Sequence, residues 1–279
     1  MEKYNLLPEQ LLYEGTVKND NFFAPSAINE HDILLTHQAT YLDKLKRQDL
    51  TYKEMRATGF PLSEQLVERE SCIMNGTLMA AKFALQYGVA MNIAGGTHHA
   101  FADRGEGFCL LNDLAITANV LIRERLAERI LIVDLDVHQG NGTAAIFSGR
   151  EDVFTFSMHG ANNYPLKKEK SHLDLPLPDA IDDESYLRLL DFHLKELIDR
   201  FMPDFLLFQS GVDVLASDKL GKLGLSIDGC RKRDKLVLET AFSNKIPVAV
   251  SMGGGYSERI ADIVEAHANT FRLAQEIYF

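Results

Sequence analysis

Two carboxylates and an imidazole sit two residues apart at Asp134, Asp136 and His138, after the apolar run Ile130-Leu-Ile-Val133 and before the turn-forming Gly140-Asn-Gly142. In an extended backbone alternate side chains share a face, so all three can point one way. A carboxylate and an imidazole at that spacing can grip one divalent cation. The competing reading is a strand that ends in a solvated acidic turn. Ser210-Gly-Val-Asp213 follows a second apolar run and offers Asp213 as a third ligand, or as a helix cap. Three protein ligands leave a position open for water, which is the layout of a catalytic metal. Gly95-Gly-Thr-His-His-Ala100 supplies His98 and His99. Adjacent residues on a strand face opposite ways, but a glycine turn lets both imidazoles enter one pocket; otherwise they are a loop pair without a role. Gly253-Gly-Gly-Tyr256 lacks the Lys-Ser/Thr of a phosphate loop. Its glycines let the backbone and Tyr256 approach a ligand, although Tyr256 alone would read as a core or interface aromatic.

The elements that must position these residues repeat as strand, polar loop and helix. Strands are expected at 89–94, 130–134, 153–157, 205–208 and 247–252. Helices are expected at 63–87, capped by Ser63 and stopped by Gly88, and at 110–126, 228–243 and the C-terminus. A further helix starts at Asp182 and Asp183, with Tyr186, Leu190, Leu194, Leu197 and Phe201 on its apolar face. Residues 1–60 give weaker signals: a helical turn at 8–13, short helices at 28–35 and 41–45 with Asn29 or Thr36 as caps, and a loop at 57–62. His31 and His37 read as surface or capping histidines. The alternation predicts an α/β fold: a mostly parallel sheet with helices on both faces, in one domain spanning 1–279. The C-terminal strand ends then converge on one edge, bringing together His98 and His99, Asp134 to His138, Ser157 to His159, Asp213 and Tyr256.

A chain of 279 residues with 46% hydrophobic and 25% charged residues is an ordinary globular composition. A net charge of -11 argues against direct nucleic-acid binding and suits a cationic substrate. Cys72, Cys109 and Cys230 lack metal or disulfide spacing. The start Met-Glu-Lys-Tyr-Asn is no signal peptide, and no apolar run approaches the roughly 20 residues that span a bilayer, so a cytoplasmic location without membrane contact is expected. Nothing in the sequence specifies subunit number.

The motifs together resemble the histone deacetylase family, within the arginase/deacetylase fold. The matching pieces are Gly96-Thr-His-His-Ala100, Gly107-Phe-Cys109, Val133-Asp-Leu-Asp-Val-His-Gln-Gly-Asn-Gly142, Ser210-Gly-Val-Asp213 and Gly253-Gly-Gly-Tyr256, in the family's order. Asp103-Arg-Gly-Glu-Gly-Phe108, His138-Gln-Gly-Asn141 and the stretch 220–226 are most similar to class IV, the smallest deacetylases. The resemblance implies zinc ligands at Asp136, His138 and Asp213, tandem active-site histidines at His98 and His99 with Asp134 and Asn141 behind them, and a carbonyl-polarising Tyr256. Phe108 and Tyr164 would wall an acyl-lysine tunnel, with Gly107 and Gly254 lining it. A potassium site would lie near Asp134, Ser157 and Met158, and a second near Phe147, Arg150 and Val153. Iron(II) would suit the same donors as zinc.

Two departures from the family pattern matter. Asn141 stands where many relatives carry Asp; an amide orients His99 but stabilises its protonated form less. Relatives also open with an extra strand and an Arg-Phe-Pro-like segment, and this chain is read as starting without them. The implied activity is metal-dependent hydrolysis of acyl-lysine in proteins or peptides, with acetyl or longer acyl groups. Glycines at 95, 96 and 107 are expected to leave room for the longer ones. The rivals are hydrolysis of small acylated amines such as acetylpolyamines, and a non-catalytic acyl-lysine-binding scaffold.

Overall fold

The computed structural model describes residues 2–279. Strands β1 (Val89–Asn92), β2 (Ile130–Asp134), β3 (Val153–Gly160), β4 (Leu173–Leu177), β5 (Phe205–Gln209) and β6 (Val248–Ser251) form one six-stranded sheet in the order β1-β6-β5-β2-β3-β4. Every pairing is parallel, with Ile130 opposite Val153 on one side and Phe205 on the other. Strand periodicity sorts the apolar residues into two layers. Leu131, Val133, Leu206 and Phe208 pack with helices α8 (Asp183–Phe201), α9 (Ile227–Ser243) and α10 (Ile260–Tyr278). Ile130, Ile132, Phe205 and Leu207 face α5 (Glu64–Tyr87) and α6 (Asp113–Arg123). A third cluster joins α3 (Ala39–Lys46) to α5 and α6 through Tyr41, Leu45 and Met74. No helix among the described residues is long and apolar enough to cross a membrane.

From β2 the chain winds outward to β3 and β4, then returns to lay β5 on the opposite side of β2. The loops after β2 and β5 therefore depart in opposite directions and leave a crevice between them, where open α/β sheets bind ligands.

Several boundaries differ from the expectations, each for a local reason. The side chain of Asn92 takes the Ala94 amide (3.1 Å) and ends β1 early. Asn112 caps α6 through the Ala115 amide (3.0 Å), so Leu110 and Leu111 lie before the helix. Helix α1 (Lys3–Tyr13) is longer than a turn and carries Pro8 inside it; α2 (Glu30–Ile33) is capped by Asn29 as expected, whereas α3 starts after Gln38 rather than Thr36. Helix α4 (Tyr52–Thr58) was not foreseen, although Thr51 and Glu54 form a reciprocal capping box. Strand β4 was missed because Pro176 argues against a strand, yet it lies at the sheet edge, where Pro is tolerated. Helix α7 (Asn141–Ile146) grows directly from the glycine turn.

Candidate active site

Asp136 and His138 lie on the loop leaving β2, and Asp213 on the loop leaving β5. Each offers one ligand atom, and the three atoms lie within 4.8 Å of one another. His138 Nδ1 is 3.1 Å from Asp136 Oδ1 and 3.3 Å from Asp213 Oδ2. Asp213 Oδ1 accepts the Val137 amide (3.0 Å), and its buried Oδ2 has no hydrogen-bond partner among the described residues. Two buried carboxylates facing one imidazole nitrogen, with an unpartnered oxygen aimed among them, suit a divalent cation. Without one, burial and Asp136 push Asp213 up to about 6. Burial opposes charge on His138, but Asp136 and Asp213 prevail and lift it to about 10.

Both tandem histidines are buried beside this cluster. His98 Nδ1 pairs with Asp134 Oδ2 at 2.7 Å, and its Nε2 lies 3.9 Å from Asp136. Burial works against its charge, yet Asp134 and Asp136 raise its pKa to about 9. His99 has no carboxylate partner; its Nδ1 meets Asn141 Oδ1 at 2.7 Å. Burial, then the neighbouring His98, holds His99 well below the usual imidazole value. Two adjacent imidazoles thus sit in opposite protonation states.

The glycine turn that aims them is clamped by Asp113, which sequence reasoning passed over. The buried Asp113 carboxylate accepts from the Gly96 and Thr97 amides (3.0 and 2.8 Å) and from the Thr77, Thr97 and Ser251 hydroxyls. Its only sequence signal was an acid next to a capping Asn at a helix start. Gly95, Gly96 and Gly107 each allow a close approach by a neighbouring side chain. A Cβ at Gly95 would meet Asp113, at Gly96 the Gln209 amide, and at Gly107 the His99 ring (2.7 Å). All three also line the cavity beside these histidines.

The tandem histidines, Asp136, His138 and Asp213 line a cavity of about 440 Å³ that also reaches Phe108, Tyr164 and Tyr256. Tyr164 stands edge-on to His99, with ring centroids 5.0 Å apart. Phe108 is half exposed and packs on Phe60 (5.4 Å), an aromatic hidden in the featureless 57–62 loop. The Tyr256 amide is tied to Asp218 (2.6 Å), and burial followed by Asp213 pushes its phenol upward, so it stays protonated. Gly254 leaves no space for a Cβ beside the Asp213 carboxylate, and its carbonyl accepts from Lys3 on α1. Lys3 lines the cavity, and burial lowers its pKa against the pull of Asp213 and Asp136. No sequence signal marked Lys3, because a lysine in a weak N-terminal helix reads as solvated.

Other expected positions lie further out. Asp134 pairs with Ser157 across β2 and β3, with Met158 following on β3. Phe147 ends α7 and its carbonyl accepts the Arg150 amide (3.1 Å). The Arg150 carbonyl meets His172 Nε2 at 2.8 Å, and Val153 opens β3, so the outer cation position has carbonyls already partly engaged. His37 is not a surface residue. It is buried, accepts the Asn112 amide (3.0 Å), and burial lowers its pKa to about 4. His31 is exposed as expected.

Behind the ligands lies a buried ion pair that the sequence did not announce. Arg233 and Asp234 on α9 are fully buried and 2.7 Å apart. Arg233 donates to the carbonyls of Leu135 (3.1 Å) and Gly211 (2.5 Å). One guanidinium therefore ties together the two loops that carry Asp136 and Asp213.

A family model described as the histone deacetylase domain matches residues 1–271. An uncharacterized protein of Picosynechococcus sp. is 43% identical over 278 residues, covering 100% of this chain and 93% of the relative. Histone deacetylase 2 of Arabidopsis thaliana is 28% identical over 271 residues, covering 94% of this chain and 70% of the relative. The crystal structure of an HDAC homolog complexed with SAHA superposes with a TM-score of 0.82 at 25% identity, covering 95% of this chain and 76% of the other.

Proposed function

The chain belongs to the histone deacetylase family of hydrolases, and we propose that it is a zinc-dependent lysine deacylase of class IV type acting on acylated proteins or peptides. The observation that carries this reading is the buried Asp136, His138 and Asp213 cluster set beside two imidazoles, His98 held by the Asp134 carboxylate and His99 by the Asn141 amide. Zinc, or iron(II), held there would polarise an amide carbonyl and lower the pKa of a water from about 15.7 towards 7.

The chain's own residues divide the remaining work. His99, neutral and oriented through Nδ1, takes the water proton at Nε2 and passes it to the departing lysine amine as the C–N bond breaks. His98 stays protonated against Asp134 and supplies positive field. Tyr256, kept as a neutral phenol, donates to the developing oxyanion. Phe108 and Tyr164 suit the aliphatic lysine stem. Potassium near Asp134, Ser157 and Met158 belongs to the same reading. An intact hydrolytic set argues against a mere acyl-lysine reader, which has no use for a general base.

The test is turnover of acyl-lysine peptides from acetyl to myristoyl, and of acetylated polyamines, by zinc-loaded protein. Peptide turnover that falls about 10²–10³-fold in Tyr256→Phe and disappears in Asp136→Ala supports the reading. Turnover of polyamines alone would replace it with a small-amine amidohydrolase. No turnover of either, with zinc bound, would sink both.

A further inference from the structure

Glu106 belongs to the Asp103-Arg-Gly-Glu-Gly-Phe108 stretch, and the mechanism above leaves it unused. It opens a tight turn in which Glu106 and Cys109 exchange backbone hydrogen bonds (3.0 Å each) and both Gly107 and Phe108 have positive φ (+56° and +66°). The turn that sets Phe108 on the cavity wall thus also aims the Glu106 carboxylate inward. Its Oε1 receives Asn141 Nδ2 at 3.0 Å and the Tyr164 hydroxyl. Arg104 Nε lies 3.7 Å from the other oxygen.

These contacts impose a direction on the chain of hydrogen bonds behind His99. An ionised carboxylate only accepts. The Asn141 atom facing Glu106 must therefore be the NH₂ group, and the oxygen must face His99. An amide oxygen also only accepts, so His99 Nδ1 must carry the proton. Nε2 is then left with a lone pair, the form a general base requires. Asn141 alone cannot impose this, because an unconstrained amide can flip and donate to Nδ1. The flipped arrangement would put the proton on Nε2 and disable the base.

We propose that Glu106 is the positioning residue of the active site: it locks the Asn141 amide, and through it the His99 tautomer, while tethering the Tyr164 wall to the same carboxylate. In effect the negative charge missing at position 141 is held one residue further out. This deepens the proposed deacylase reading and rests on it for the role of His99.

The experiment combines nitrogen-15 NMR of labelled histidines with kinetics on an acetyl-lysine peptide, both on zinc-loaded protein. The wild type is expected to show His99 protonated at Nδ1. In Glu106→Gln the neutral amide no longer dictates polarity, so His99 should shift towards the Nε2-protonated form, and kcat should fall about 10–100-fold, the loss typical when an outer partner of a metal-bound histidine is removed. Tyr164→Phe should change KM and leave the His99 tautomer alone. Adding Asn141→Asp to Glu106→Gln returns an obligate acceptor to His99 and should restore the Nδ1 proton, which also shows that the single variant was folded. An unchanged tautomer in Glu106→Gln with kcat within about twofold of wild type would overturn the proposal, as would a tautomer shift of equal size in Tyr164→Phe. The NMR arm is independent of turnover, so an inactive wild type would defeat the deacylase reading and leave the tautomer result to stand.

Discussion

Replacing Asp234 with Ala tests whether the metal loops are held from behind. The substitution strands the Arg233 guanidinium, which is wholly buried, without its counter-charge. It also takes the acceptor from the Ser210 and Thr270 hydroxyls. Breaking a buried ion pair by removing one partner costs about 3–5 kcal/mol, a large part of the roughly 5–15 kcal/mol that a folded domain has in hand. With a urea dependence of about 3 kcal/mol per molar, the unfolding midpoint should drop by about 1–1.7 M. Removing Arg233 as well, as Arg233→Met with Asp234→Ala, should cost less than the sum of the single changes by about 2 kcal/mol or more, since no lone charge remains. In the double variant the carbonyls of Leu135 and Gly211 also lose Arg233 as their common donor. Leu135 adjoins Asp136 and Gly211 lies two residues before Asp213, so zinc affinity should fall about 10–100-fold. Urea titration of metal-free protein and chelator competition for zinc give the two readouts. A midpoint shift under about 0.3 M, or additive single-variant costs, would refute the reasoning.

Two further outcomes are expected. Burial holds the Glu70 carboxyl up at about 7, against the pull of Arg69, so the folded state binds the proton more tightly than the unfolded chain does. Stability from this group is complete below the unfolded value of 4.5 and is lost as pH rises through 7. The loss approaches about 3 kcal/mol at pH 8, at roughly 1.4 kcal/mol per pH unit of separation. Glu70→Gln should therefore gain close to that amount at pH 8 and almost nothing at pH 4.5, read as urea midpoints; equal effects at both values would contradict it. Gly254 has φ +51°, and a Cβ there would overlap the Asp213 carboxylate. Gly254→Ala should weaken zinc binding at least about tenfold while circular dichroism stays native, and unchanged zinc affinity would count against the assigned ligand.

Local chemistry made part of this protein legible from its sequence. Apolar runs that end in Asp134 to His138 and in Asp213 announced parallel strands with functional ends, because strand period and turn residues act over a few positions. The helices at Glu64–Tyr87 and Asp183–Phe201 carried their own caps, Ser63 and Asp182, and their own apolar faces. The candidate ligands and tandem histidines could be named for the same reason: their types and spacings are local. Glu106, Asp113, Lys3 and Arg233 could not be read in this way. Each is an ordinary charged residue in its own segment, and its partner lies far along the chain: Asn141 is 35 residues from Glu106, Gly254 is 251 from Lys3, and Leu135 is 98 from Arg233. Only the winding of β5 back beside β2 puts the Leu135 and Gly211 carbonyls that Arg233 holds on facing loops, and only the packing around His99 gives the Glu106 carboxylate a direction to impose. The sequence determined which groups could do chemistry; the tertiary structure decided their protonation, tautomer and support, since these depend on burial and on partners that the fold alone brings within hydrogen-bonding distance.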